Sequence, residues 1–103
     1  MREYESLNGC RYMDYGQFTV VVTPHAVERQ YERSFNHGDL LPWYALYATL
    51  EENNRNQYVV IKGFQCFLNK KFNRIRNRWE LEVISFTPNN WHKSKDRLVM
   101  TIN

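Results

Sequence analysis

Only two cysteines occur in 103 residues, Cys10 and Cys66, too few for a disulfide framework. No cysteine or histidine stands at the spacing of a zinc ligand set, so no metal centre is expected. Four glycines and three prolines exclude a linker or a collagen-like chain. There is no Gly-rich phosphate loop, no Gly-x-Ser-x-Gly elbow and no His-Glu-x-x-His helix, and no cofactor is expected. No apolar run approaches the roughly 20 residues of a bilayer span, so no membrane partner is expected. Residues 1–6 lack the apolar core of a secretion signal, which points to a cytoplasmic chain with reduced thiols. Acid is also missing in one place: there is none between Glu52 and Glu80.

What is present is aromatic. Six Phe, seven Tyr and three Trp supply large core side chains, and 43% hydrophobic with 24% charged residues is the composition of a globular fold. The length suits one domain spanning residues 1–103, with residues 1–16 open between an arm, a short strand and an extra hairpin.

The net charge of +3 conceals an asymmetry. Residues 1–54 sum to −4 and residues 55–103 to +7. The acid-free stretch holds Arg55, Lys62, Lys70, Lys71, Arg74, Arg76 and Arg78, interleaved with Phe64, Phe67 and Phe72 and followed by Trp79. Such a block attracts a polyanion through counterion release, and the aromatics offer stacking faces, so RNA is the expected partner. The competing reading is a solvated hairpin whose lysines and arginines guard strand edges.

Gln17–Thr23 is continuous and β-branched, which predicts a strand buried on both faces or nearly so. Thr23-Pro24 then offers an N-cap hydroxyl and a proline at the first helical position. Val27, Tyr31 and Phe35 repeat every four residues as an apolar stripe, and Asn36-His37-Gly38 stops that helix. A second helix is expected from Asp39 to about Glu52. Strands follow at residues 58–61, 64–68, 79–86 and 97–102, with Gly63 as a bulge or bend and 69–77 as a polar, basic turn region. Glu80 and Glu82 share one strand face, as solvated carboxylates unless buried. The expected fold class is α+β, with two helices packed on an antiparallel sheet of about four to five strands.

His25 and Arg29 lie four apart on one helix face, and Arg33 stands one turn further. A first-turn imidazole near unpaired helix N–H groups can serve as a general base, and guanidinium groups beside it can stabilise charge on a phosphodiester. The bland alternative pairs Arg29 and Arg33 with Glu28 and Glu32 on a solvated face. Cys66, within Phe64–Leu68, reads as a small buried residue rather than a nucleophile.

The run Thr23-Pro24-His25-Ala26-Val27-Glu28-Arg29-Gln30-Tyr31-Glu32-Arg33 resembles the helix opening of the phage RegB-type endoribonucleases, which are related in fold to RelE-like messenger RNA interferases. The resemblance implies a RelE-like architecture, His25 as a catalytic imidazole and Arg29 as a phosphate or transition-state partner. It covers eleven residues. The family's second histidine, about twenty residues on, is replaced here by Ala45, so general acid duty would pass to Tyr44, Tyr47, His37 or His92. On this reading the chain is a small RNA-directed protein, a metal-independent endoribonuclease leaving 2′,3′-cyclic phosphate ends. Its catalytic candidates are His25, Arg29, Arg33, Tyr47 and His92. The alternative is a non-catalytic, phage-type inhibitor or adaptor that binds a host or antiviral protein through its aromatic and basic surface.

Overall fold

The computed structural model describes residues 2–5, 9–32, 41–88 and 96–102, with side chains over 9–28, 41–88 and 96–102. Among the described residues, seven strands and two helices follow in the order β1 (Arg2–Glu5), β2 (Arg11–Asp14), β3 (Phe18–Val22), α1 (Pro24–Glu32), α2 (Trp43–Thr49), β4 (Gln57–Ile61), β5 (Phe64–Asn73), β6 (Arg78–Pro88) and β7 (Arg97–Ile102). All seven strands join one sheet in the order β1-β2-β3-β6-β5-β4-β7. β3 runs parallel to β6 and β4 parallel to β7, while the other pairings are antiparallel.

The expected architecture of two helices on an antiparallel, RelE-like sheet of four to five strands is therefore corrected to a seven-stranded mixed sheet with, among the described residues, two short helices. Alternation along a strand says which residues share a face, but not which strand lies alongside. Here the helical stretch carries the chain across, so that β3 meets β6 in parallel, and residues 11–14 add an antiparallel partner on its other side.

Register assigns the faces. Phe18, Val20 and Val22 align with Trp79, Leu81 and Val83, and all but Trp79 are fully buried. Leu68, Cys66, Val59 and Ile61 continue this apolar side, where Ala26 of α1 and Trp43, Leu46 and Leu50 of the α2 segment close over it. We call this the helix face. Tyr12, Asp14, Thr19, Glu80, Glu82, Lys71 and Asn73 alternate to the other side, the open face.

Local chemistry accounts for the junctions. Thr23 Oγ1 accepts from the Ala26 N–H at 3.3 Å and donates to the Ile84 carbonyl at 3.0 Å, capping α1 and tying it to β6. Ala26 is fully buried and Val27 packs half-buried against the same core; the Tyr31 side chain, Phe35, Asn36, His37 and Asp39 lie outside the described residues. Lys62 and Gly63 both have positive φ, 48° and 82°, so Gly63 closes a two-residue hairpin between β4 and β5 rather than bulging a strand.

The 69–77 stretch is mostly strand, because β5 runs on to Asn73. Its turn is confined to 74–77, where Asn73 Oδ1 accepts from the N–H groups of Ile75 and Arg76 at 3.0 and 3.1 Å.

Candidate functional site

His25 is exposed at the second position of α1. The Arg29 backbone belongs to the same helix, but its side chain lies outside the described residues, as do Arg33 and His92. Helix α1 starts where β3 ends, beside Val83 and Ile84 of β6, and it packs on the helix face. Arg78, the first residue of β6, pairs with Asp14 on the open face. Helix α1, which carries His25, thus packs on the helix face, whereas Lys71, Arg76 and Arg78 pair with carboxylates on the open face. Tyr47, the other described candidate, stacks its ring on Phe18 at 4.5 Å within the helix-face core.

The basic block divides. Arg55 and Lys71 both pair with Glu82, at 2.9 and 3.4 Å. Arg76 lies 3.7 Å from Glu80 and over the Tyr12 ring at 4.6 Å, and Arg78 pairs with Asp14 at 2.8 Å. The carboxylates read as a strand face in the sequence are thus partners of these bases, and Glu80 is only 3% exposed. Lys70 points the other way: its ammonium donates to the Tyr47 carbonyl at 2.6 Å and sits over the Tyr47 and Trp79 rings. Lys62 and Arg74 are exposed in the turns at the two ends of β5. Ten strand residues, roughly 33 Å at strand rise, separate those two cations.

Sequence reasoning missed a different grouping. Tyr44 meets Tyr15 edge-on at 5.6 Å, and Tyr15 stacks on Phe18 at 5.3 Å. Phe18 stacks on Tyr47, Lys70 bridges Tyr47 to Trp79, and Trp79 meets Phe72 at 5.5 Å. This aromatic shelf, joined at its middle by Lys70, crosses the end of the sheet that carries the β5–β6 turn. Tyr44 is 61% exposed and Phe72 42%, while Ile75 at the turn stands 97% exposed. Its members come from 15, 18, 44, 47, 70, 72 and 79, so no local motif marks it. The available signal was the alternation of Phe72 with Lys70 on one strand.

At the opposite end of the open face, Arg55, Asn56, Phe67, Ile84, Ser85, Thr87 and Asp96 line a cavity of about 400 Å³. Tyr58, packed on Phe67 at 5.4 Å and 2% exposed, has its phenol held above the ordinary value of 10.0, first by burial and then by the Asp96 charge. Burial alone pushes the Cys66 thiol far up, so it carries no thiolate near neutrality.

The Tyr58 shift sets a pH dependence. A phenol whose folded value is raised holds its proton longer in the folded chain than in the unfolded one. Its contribution to stability is complete below about pH 10 and is lost as pH rises through the folded value. Cys66 acts in the same direction from a lower ordinary value. Urea unfolding from pH 8.5 to about 11 is expected to show a steeper loss for the native chain than for Tyr58→Phe. Parallel curves would mean that the phenol does not titrate differently on folding.

Among the described residues, no three His, Cys, Asp or Glu side chains come together to hold a metal ion, and no helix is long and apolar enough to cross a membrane. No family model, no curated protein and no solved structure matches this chain.

Proposed function

We propose that this chain is a non-catalytic binding module of the cytoplasm that holds a protein partner against its aromatic shelf. The observation that carries the reading is the run from Tyr44 to Phe72, exposed at both ends and closed over the buried Phe18, beside a fully presented Ile75. Tyrosine, tryptophan and arginine dominate the energetics of protein interfaces, and an exposed isoleucine at a hairpin tip suits insertion into a partner's apolar pocket. Arg55, Lys71, Arg76 and Arg78 are engaged with the chain's own carboxylates, which leaves less charge for phosphates.

An RNA-directed role is the second reading. It rests on Lys70 lying between two aromatic rings and on Arg74 exposed next to Ile75, an arrangement in which bases stack and a phosphate finds a cation.

The two readings separate in one set of measurements. The immobilised chain, nuclease-treated bacterial lysate and the variants Ile75→Asp and Tyr44→Asp test the first. A stoichiometric protein that survives nuclease and is lost with both variants is expected. Titration with a synthetic single-stranded RNA at two salt concentrations tests the second. Binding that weakens steeply with salt and with Arg74→Ala, without nuclease-resistant capture, would replace the first reading by the second. Cleavage of that RNA, abolished by His25→Ala and Arg29→Ala, would restore the endoribonuclease.

A further inference from the structure

The open-face cavity belongs to neither reading. It lies at the end of the sheet away from the aromatic shelf, and its lining combines an apolar floor with converging polar groups. Phe67 and Ile84 supply the floor. Ser85 and Thr87 bring hydroxyls along β6, and Arg55, Asn56 and Asp96 stand around them from the segments leading into β4 and β7. A volume of about 400 Å³ is in the range of sites for small organic molecules.

Charge within the lining is what selects the ligand. The Arg55 guanidinium is bound to Glu82 at 2.9 Å, and Glu82 also holds Lys71. That cluster is internally compensated. Among the described residues Asp96 has no such partner: its Oδ2 is shut off from water and accepts no hydrogen bond. Among the described lining residues the uncompensated charge is therefore negative, in a chain whose net charge is +3. A carboxylate oxygen without water or a donor is costly, and a cation brought to it removes that cost. The last torsion of an aspartate is broad and two-fold, so a small rotation presents either oxygen to an incoming donor. The Phe67 ring forms part of the same wall, and an aromatic face also favours a cation over an anion.

We propose that this cavity binds a small organic cation, a protonated amine, amidinium or guanidinium on a compact apolar body. The charged end meets the Asp96 carboxylate and the apolar body lies on Phe67 and Ile84. The Ser85 and Thr87 hydroxyls and the Asn56 amide take the remaining donors.

Benzamidinium is the probe, since benzamide and benzoate keep its ring and size while removing or reversing its charge. The full chain, labelled with nitrogen-15, is titrated with each compound at constant ionic strength, following the amide signals of Asn56, Ser85 and Thr87. Saturable shifts with benzamidinium are expected, with binding at least about tenfold weaker for benzamide and benzoate. Asp96→Asn is expected to weaken benzamidinium by about tenfold or more while leaving the rest of the spectrum in place. Arg55→Ala, at a side chain 60% exposed, gives a variant that does not depend on the Asp96 substitution folding. It removes a competing cation, so benzamidinium should bind as tightly or more tightly. Equal or tighter binding of benzoate or benzamide, unchanged affinity in a folded Asp96→Asn variant, weaker binding in Arg55→Ala, or no saturable shift by about 10 mM overturns the proposal.

Discussion

Phe18→Ala is expected to remove about 3–5 kcal/mol of stability, the usual cost of emptying a fully buried phenylalanine site. A chain of this length has a total of only about 5–15 kcal/mol, so a third or more is at stake. Phe18 is fully buried at the start of β3, in register with Trp79 of β6. Tyr47 stacks on it at 4.5 Å, Tyr15 at 5.3 Å, and Tyr44 meets its edge at 5.5 Å. Truncation therefore leaves a cavity and also removes the ring on which α2 and the aromatic shelf rest. Tyr44→Ala is the control, because its ring is 61% exposed and anchored by a single 3.3 Å hydrogen bond to the Tyr15 carbonyl. It should cost about 1 kcal/mol or less. Urea unfolding of both variants measures the difference. A loss below about 1.5 kcal/mol for Phe18→Ala would mean that the site collapses freely and that the ring stack carries little.

The second large effect is expected at Gln57. This side chain is fully buried, yet every polar atom in it is engaged. Its Nε2 donates to the carbonyls of Glu51 and Asn54, both at 2.8 Å. Its Oε1 accepts from the Glu51 N–H at 2.9 Å and from Arg97 at 3.2 Å. One amide thus ties the end of α2, the loop into β4 and the start of β7. Leucine has nearly the same volume and makes none of these bonds. Gln57→Leu should cost about 3–5 kcal/mol, because each backbone group left buried and unpaired costs about 1–3 kcal/mol and part of that is recovered by water. Hydrogen exchange gives a localised readout, with protection falling first at Glu51 and at Arg97, whose N–H donates to Asn56. A neutral or stabilising Gln57→Leu would show that the loop keeps its shape without the amide.

These two residues illustrate what a linear reading can and cannot see. Phe18 was legible as core, because it opens the β-branched run that ends at Val22. Its neighbours Tyr15, Tyr44 and Tyr47 were legible only as aromatics, since which rings meet depends on where α2 lands. Gln57 gave no signal. A buried glutamine differs from an exposed one only in what surrounds it, and here its partners include both near neighbours and Arg97, forty positions away.

The basic block shows the same limit for electrostatics. Counting charge along the chain found the acid-free stretch from 53 to 79 correctly, yet Asp14, Glu80 and Glu82 lie outside that window and fold back onto it. Lys70 and Lys71 are adjacent in sequence and leave the strand on opposite faces, one toward Tyr47 and the other toward Glu82. Opposite exits follow from a period of two. Which face holds the helices does not.

From the sequence alone came the elements governed by short-range physics. The buried strand at 18–22, the helix opened by Thr23-Pro24 and the strand patterns after residue 57 all follow from propensity, capping and spacing. Tertiary structure alone decided the mixed pairing of the sheet, the division of the basic block between its two faces, the aromatic shelf and the cavity beside Asp96. Each of those depends on groups far apart in the chain that meet only after the strands have chosen partners. Pairing partners are selected by the summed burial of a whole face, a quantity that no local stretch of residues contains.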